Sequence, residues 1–210
     1  MCGLVGMAGD ISPKDEKVFK TLLIMDTLRG EHSTGIAAVD KTSGNVKIAK
    51  QVGNSFELFN DKRYDKAMQG WNQVLLGHNR YATVGLVNKA NAHPFQFSKV
   101  TGAHNGTLTN RWDLLNQKDF ITDSEALYNH INEKGVLDAL DHCSGAYALT
   151  WWDAEEKTIN FLRNKERTLF LCTADSGKTI YWASEPWMLL AALGREGIKH
   201  SDPVLLDEEN

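Results

Sequence analysis

The chain has 210 residues, of which 42% are hydrophobic and 24% charged, a size and balance typical of one domain with a packed core. The net charge of −4 argues against a platform for nucleic acid, because neutralising phosphates requires a basic surface. No apolar run could span a membrane, no signal peptide begins the chain, and the three cysteines lack zinc or disulfide spacing, so we expect a cytoplasmic protein.

The predicted elements alternate between short strands and helices. A strand over residues 4–8 ends at Gly9, and Ser12 with Pro13 begins a helix that runs to Gly30. The pattern then predicts strands over residues 35–40, 46–52, 74–78, 100–104, 147–153, 158–162, 169–173 and 179–183, and helical segments over residues 55–68, 108–115, 122–131, 136–142 and 186–193. Connections of hairpin length favour largely antiparallel sheets, packed face to face with helices outside in an α+β arrangement. Without a linker-like segment, we expect one domain over residues 1–210.

The second residue, Cys2, is the first candidate for chemistry. If Met1 is removed, Cys2 becomes N-terminal and carries an α-amine whose pKa in model peptides is roughly 7.7–8.0. Such an amine can accept the proton of its own thiol and act as the general base that generates the thiolate nucleophile. Many chains carry cysteine at this position without consequence, so the interpretation needs support from other residues.

Two arginines lie at the ends of predicted secondary-structure elements. Arg29 lies at the end of the first predicted helix, where a favourable interaction with the helix dipole would be its simplest role. Arg80 lies at the tip of a predicted strand with Thr83 close by, and its planar guanidinium suits a carboxylate. The alternative for Arg80 is an ordinary surface arginine at a strand end.

Three further candidates for the functional site are Asn105, Gly106 and Asp123. Asn105 and Gly106 follow a predicted strand, and an Asn-Gly pair at such a place is usually a turn. Alternatively, the Asn105 amide and the Gly106 N–H point at one spot and stabilise an oxyanion. Asp123 opens a predicted helix, where it is either an N-cap or a carboxylate that binds a ligand's ammonium group.

Together these residues would supply a nucleophile with its base, an oxyanion hole, a cation for an α-carboxylate and an anion for an α-ammonium group. These are the groups that hydrolysis of the glutamine side-chain amide requires. They lie in the motifs MCGLVG (residues 1–6), RGEHSTGIA (29–37), GHNRYATVG (77–85), NAHPF (91–95), AHNGTLTN (103–110) and TDSEAL (122–127). In this order and at about these separations, the motifs resemble the class II glutamine amidotransferase domain, the N-terminal nucleophile glutaminase of amidophosphoribosyltransferase, glucosamine-phosphate synthase, glutamate synthase and asparagine synthetase. SGAYAL (144–149) and ASEPWMLLAAL (183–193) extend the resemblance more loosely.

The resemblance implies a fold and a role for each residue. The fold would be the four-layer αββα sandwich of N-terminal nucleophile hydrolases, with two mostly antiparallel sheets between helix layers. Cys2 would be the nucleophile and its α-amine the base, with Asn105 and Gly106 as the oxyanion hole. Arg80, helped by Thr83, would bind the substrate α-carboxylate, and Asp123 the α-ammonium group. Arg29 would support the site from behind, and neither a metal nor an organic cofactor would be needed.

The chain also departs from the family pattern. Tyr81 stands where glucosamine-phosphate synthases carry Trp, Val84 replaces a residue that is often His, and His32 is unusual in its motif. The larger departure is that no synthetase segment follows the glutaminase-like region and no GxxxxGK[ST] phosphate loop is present. We therefore expect a glutaminase subunit that passes ammonia to a separate acceptor enzyme. Two alternatives remain: hydrolysis of another amide, and a non-catalytic glutamine-binding regulatory module.

Overall fold

The computed structural model describes residues 2–174 and 176–208. The strands are β1 Gly3–Gly9, β2 Ser33–Asp40, β3 Val46–Val52, β4 Asn72–Arg80, β5 Phe95–Gln96, β6 Val100–Leu108, β7 Gly145–Asp153, β8 Thr158–Arg163, β9 Phe170–Thr173, β10 Thr179–Ala183 and β11 Val204–Leu205. The helices are α1 Pro13–Asp26, α2 Ser55–Phe59, α3 Lys62–Met68, α4 Asp123–Lys134, α5 Val136–Asp141 and α6 Pro186–Arg195, with 3₁₀ turns at Arg111–Asp113 and Gln117–Asp119. In this part of the chain, no helix combines the length and apolar character that crossing a bilayer would require.

The strands form two sheets. One has seven strands in the order β11-β9-β10-β1-β4-β2-β3, and the other has four in the order β5-β6-β7-β8. All the strand pairs in the described residues are antiparallel. Strand β1 lies in the middle of the larger sheet, where Val5 is opposite Ala183 of β10 and Gly77 of β4. The predicted antiparallel sheets are therefore confirmed.

Apolar side chains divide the molecule into layers. Between the sheets, Leu4 and Leu76 of the larger sheet pack in one cluster with Ala103 and Ala148 of the smaller sheet. Two further clusters lie on the outer faces. Helices α1, α2, α3 and α6 cover the seven-stranded sheet, and helices α4 and α5 cover the four-stranded sheet. Because burying one large apolar side chain contributes about 1.5–3 kcal/mol, these three clusters stabilise the α+β, four-layer αββα sandwich that the resemblance implied.

Helix α1 begins as the sequence predicted. Ser12 is the N-cap, and its hydroxyl accepts a hydrogen bond from the Asp15 N–H while Asp15 bonds back to the Ser12 N–H. Pro13 occupies the first turn, where a missing N–H costs nothing. The helix ends at Asp26, four residues before the predicted end at Gly30. This shortening places Arg29 beyond the helix, in the turn that leads to β2.

Two predicted helical segments are wrong in extent. The segment over residues 55–68 is two helices, because Asp61 accepts a hydrogen bond from the Arg63 N–H at 2.9 Å and caps a new helix. The segment over residues 108–115 begins inside β6 and keeps only a 3₁₀ turn at Arg111–Asp113. Strands β5 and β11, each two residues long, were not predicted, because two residues carry no alternation pattern.

Candidate active site

Cys2 lies directly before β1, beside the end of β4. Its sulfur accepts a hydrogen bond from the Tyr81 N–H at 3.3 Å and lies 3.4 Å from the Tyr81 carbonyl oxygen. Burial raises the pKa of the Cys2 thiol, although the Tyr81 N–H and the charge of Arg80 act in the opposite direction. Since only the thiolate is a strong nucleophile, this thiol requires a base to react at neutral pH.

Arg29 holds the backbone of the nucleophile. Its Nε donates to the Cys2 carbonyl oxygen at 3.0 Å, and its guanidinium also forms a salt bridge with Glu185. The Glu185 side chain is 33% exposed and the Arg29 side chain only 10%. Arg29 thus lies beyond the end of α1 and contacts the backbone of Cys2, while its supporting role stays a prediction. Glu185, the residue before α6, was not predicted; its position in the ASEPW motif was the only signal.

Arg80 is not a surface arginine, because it is only 3% exposed at the end of β4. Its guanidinium donates to the Leu86 carbonyl oxygen at 3.2 Å and to the Val84 carbonyl oxygen. The loop after β4, residues 81–88, therefore curls around its own arginine. This interaction occupies the guanidinium that was predicted to bind a substrate carboxylate.

His32 fixes the start of the same loop. Its Nδ1 accepts a hydrogen bond from the Ala82 N–H at 2.9 Å, and its ring stacks on Tyr81 with centroids 4.8 Å apart. The Tyr81 ring lies at the loop surface, where it is 49% exposed. Two of the three residues that depart from the family pattern, His32 and Tyr81, thus contact each other.

Asn105 and Gly106 do not form a turn. Both lie inside β6, opposite Ala148 and Tyr147 of β7, because nine consecutive cross-strand pairs override the local preference of Asn-Gly. The Asn105 amide nitrogen is buried and has no hydrogen-bond partner among the residues described. A Cβ atom on Gly106 would lie 1.8 Å from the Ala146 carbonyl oxygen, so only glycine allows this approach.

Asp123 and Thr83 both contact the end of β6. The N-cap of α4 is Thr122, not Asp123, since the Thr122 hydroxyl accepts from the Glu125 N–H. Asp123 is only 5% exposed, and its Oδ2 accepts a hydrogen bond from the Leu108 N–H at 2.9 Å. The Thr83 hydroxyl lies 3.3 Å from that of Thr107.

The predicted residues meet at one small pocket. It is lined by Cys2, Arg80, Tyr81, Thr83, Val84, His93, His104, Gly106, Thr122, Asp123 and Ser124, while Arg29 and Asn105 lie outside the lining. Its volume is about 10 Å³, room for about one water molecule. An amino acid substrate would not fit unless the loop over residues 81–88 moves.

Three buried histidines beside the pocket were missed by the sequence analysis. The His78 and His93 rings lie 4.0 Å apart, and His78 Nε2 lies 3.1 Å from the His104 carbonyl oxygen. His104 Nδ1 is 2.9 Å from the Ser124 hydroxyl. Burial lowers the pKa of His78 to about 3 and also lowers the pKa of His93 and His104, so the three rings are neutral at pH 7. Their only sequence signal was membership of three motifs.

One cluster in the described ranges has the spacing of metal ligands. His130, Asp138 and His142 offer atoms within 4.8 Å of one another. However, His130 Nδ1 accepts a hydrogen bond from the Leu115 N–H at 3.0 Å, so the proton of the neutral ring lies on Nε2. That nitrogen donates to Asp138 at 2.6 Å and offers no lone pair. The arrangement fits a hydrogen-bonded cluster, not a metal site.

Comparison with known proteins agrees with this geometry. Residues 34–203 match the family described as "Glutamine amidotransferase domain". The chain is 33% identical over 187 residues to a glutamine–fructose-6-phosphate aminotransferase of Staphylococcus aureus, covering 80% of this chain and 30% of the relative. It is 32% identical over 117 residues to the amidophosphoribosyltransferase of Escherichia coli, covering 54% of this chain and 22% of the relative.

Solved structures agree on the fold. An allosteric regulatory enzyme of purine biosynthesis has a TM-score of 0.74 at 24% identity, covering 97% of this chain and 45% of that chain. A class-II glutamine aminotransferase domain protein from Silicibacter pomeroyi has a TM-score of 0.59 at 14% identity, covering 99% of this chain and 92% of that chain. The chain spans about 30% of the length of the curated aminotransferase from S. aureus. On the family match and these relatives, the chain belongs to the class II glutamine amidotransferase domain family.

Proposed function

We propose that the chain hydrolyses the side-chain amide of glutamine, with the thiol of Cys2 as nucleophile. The observation that carries the proposal is the shared pocket. Cys2 precedes β1, Arg80 ends β4, Gly106 lies on β6 and Asp123 begins α4, yet all four line one small space. A thiol, a guanidinium and a carboxylate converging on one pocket suit an amino acid substrate that carries both charges.

The general base is the α-amine of Cys2 after removal of Met1, a residue outside those that the structure describes. This amine has a pKa near neutrality in model peptides, roughly 7.7–8.0, whereas the buried thiol has a raised pKa. The amine can therefore take the thiol proton at neutral pH, directly or through one water molecule. No other group is needed to generate the thiolate.

The oxyanion of the tetrahedral intermediate is bound by Asn105 and Gly106. The Asn105 amide nitrogen has no partner in the described part of the chain, which supports this role because a buried donor without an acceptor is costly. Gly106 lines the pocket and leaves its backbone accessible. Such preorganised donors are often the largest single contribution to acyl transfer.

Glutamine is held by its two charged groups. Arg80 binds the α-carboxylate with help from Thr83, and Asp123 binds the α-ammonium group. To do so, Arg80 must exchange the carbonyl oxygens of Val84 and Leu86 for the substrate. A site that pairs both charges rejects amides that lack them.

The reaction then runs in two halves. The thiolate attacks the amide carbon, the C–N bond breaks, and the nitrogen takes the proton from the α-ammonium group and leaves as ammonia. Water next attacks the γ-glutamyl thioester and gives its proton to the α-amine, and the C–S bond breaks to release glutamate and the thiol.

Ammonia passes to a separate acceptor enzyme. Exposed apolar side chains on and beside the loop, Leu28, Leu86, Val87 and Ile121, support a docking role for this face.

The test is glutamate and ammonia release from glutamine by protein whose Met1 removal is verified by intact mass. We expect release to disappear in Cys2→Ala and to persist in Cys143→Ala, the matched control for loss of a thiol. Release from other γ-glutamyl amides but not from glutamine would instead assign the chain to another amide. Glutamine binding without release from the processed protein would favour the non-catalytic module.

A further inference from the structure

Asp26 is a buried carboxylate that the mechanism above does not use. It ends α1 and is 0% exposed. Neither of its oxygens accepts a hydrogen bond of normal geometry among the residues described, and the backbone N–H and side-chain amide of Asn79 are the donors beside it. The carboxylate lies against Gly3, the residue after the nucleophile, since a Cβ atom on Gly3 would be 1.7 Å from Asp26 Oδ1. A carboxylate this deeply buried, with neutral donors alone beside its oxygens, is strongly unfavourable unless a positive charge compensates it.

The charges around Asp26 do not balance. Arg29 is the cation beside it, but the Arg29 side chain already binds the Cys2 carbonyl oxygen and Glu185. Glu185, which precedes α6, is a second carboxylate acting on Asp26. The Cys2 thiol lies on the β1 side and Asn79 on β4 supplies neutral donors, while Arg80 is a further cation that acts on the Cys2 sulfur. One guanidinium therefore serves two carboxylates, and the group lacks one positive charge.

We propose that Asp26 is the counter-charge for the α-ammonium group that Cys2 acquires when Met1 is removed, and thus a positioning residue for the nucleophile. Removal of Met1 places a new amino group one residue from Gly3, where the carboxylate lies. The cluster then holds two positive and two negative charges. Before removal, the Cys2 nitrogen is a neutral peptide nitrogen and Asp26 stays uncompensated.

The counter-charge has a chemical consequence, and this part rests on the proposed function. When the thiol gives its proton to the α-amine, a thiolate and an ammonium group form. A nearby carboxylate stabilises the ammonium form and raises the pKa of the amine. The same carboxylate also raises the pKa of the Cys2 thiol, so Asp26 acts on both groups and positions the ammonium group without touching the substrate.

A thermal unfolding comparison of four proteins tests the proposal without needing turnover. They are the Met1-bearing and Met1-processed forms of the natural chain and of Asp26→Asn, with Met1 retained by inhibiting methionine aminopeptidase during expression and verified by intact mass. We expect processing to raise the Tm of the natural chain and to change that of Asp26→Asn little. An equal rise in both chains would overturn the proposal. Asp10→Asn, an exposed carboxylate beyond the other end of β1, is the control and should keep the full rise.

The pH dependence of kcat/KM for glutamine gives a second readout. Asp26→Asn should move the acid limb to lower pH by about one unit, because the amine loses its carboxylate neighbour. A lower rate with an unmoved limb would mean a merely structural role and would overturn the proposal. If Asp26→Asn does not fold, Asp26→Ser takes its place in both experiments. Absence of turnover in the natural chain would refute the proposed function and leave the unfolding comparison intact.

Discussion

The two ends of helix α1 each bury a carboxylate, and the two carboxylates have opposite surroundings. Asp15, in the first turn, accepts hydrogen bonds from the Ser12 N–H at 2.8 Å, the Ser12 hydroxyl and the Tyr181 hydroxyl. Asp26, at the last turn, accepts no hydrogen bond of normal geometry in the described chain and has only the donors of Asn79 beside it. The helix dipole favours an anion at the first end and disfavours one at the second. A buried carboxylate with a full set of hydrogen bonds, such as Asp15, stabilises the fold. A carboxylate such as Asp26, which is buried at the unfavourable end of a helix dipole, is the better indicator of a functional site.

The largest expected effect comes from Gly3→Ala. The new methyl group would overlap the Asp26 carboxylate, so thermal unfolding should show a loss of about 1–3 kcal/mol or more. Adding Asp26→Ala should restore part of that loss, because it removes the overlapping atoms. Gly194→Ala is the control, since a Cβ there meets nothing within 4 Å and helix α6 should tolerate or prefer alanine. An unchanged Tm in Gly3→Ala would contradict the contact.

A smaller effect is expected in the pH dependence of stability. Burial raises the pKa of Asp26 from 3.8 to about 7, against the opposing charge of Arg29. Between these values the folded chain binds a proton that the unfolded chain lacks, so this contribution is complete below about pH 4 and is lost as pH rises through 7. Its size is at most about 4 kcal/mol, from about 1.4 kcal/mol per pKa unit.

Chemical denaturation from pH 4 to pH 8 measures this effect as the difference between the Met1-bearing natural chain and Met1-bearing Asp26→Asn. The natural chain should lose stability relative to the variant as pH rises. The difference should shrink after removal of Met1. Parallel curves over this range would show that Asp26 keeps the same charge in the folded and unfolded chains.

The smallest effect concerns the other end of the helix. Ser12→Ala removes the N-cap hydroxyl, and its cost should be about 1 kcal/mol in thermal unfolding. Ser12→Thr keeps a hydroxyl and should retain most of the stability. Because this end of the helix contacts Tyr181, which pairs with Met7 near the far end of β1 from Cys2, neither substitution should alter glutamine turnover. A change in turnover without a change in Tm would show that the two ends are not independent.

Much of the fold was predictable because its signals are local. The capping box at Ser12 and Asp15, the hairpin around Gly44 and the apolar alternation of the strands each depend on a few neighbouring residues. Five of the residues that line the pocket were also identified from their motifs, namely Cys2, Arg80, Thr83, Gly106 and Asp123. Their roles as nucleophile and ligand-binding groups stay predictions.

The rest depends on contacts between residues far apart in the chain. Asn105 and Gly106 carry the local signal of a turn, but pairing with β7 makes them part of a strand. In the sequence, Asp26 is an ordinary polar residue of a predicted helix. Its contact with Gly3 appears only in the folded chain, where the missing Cβ at Gly3 leaves room for the carboxylate. His78, His93 and His104 come from three segments, so their contact is invisible before the sheets are assembled.

The loop that curls over Arg80 has a kinetic consequence. With the carbonyl oxygens of Val84 and Leu86 on the guanidinium, the empty protein carries its own substitute for the substrate carboxylate. Under the proposed function, glutamine binds only by displacing these carbonyl oxygens from Arg80. Its apparent binding free energy therefore includes the difference between the interaction of Arg80 with the substrate carboxylate and its interaction with the loop. A partner enzyme that draws the loop away would then lower KM while leaving kcat unchanged. Ammonia release would thus be tied to the presence of its acceptor, and little glutamine would be wasted when the acceptor is absent.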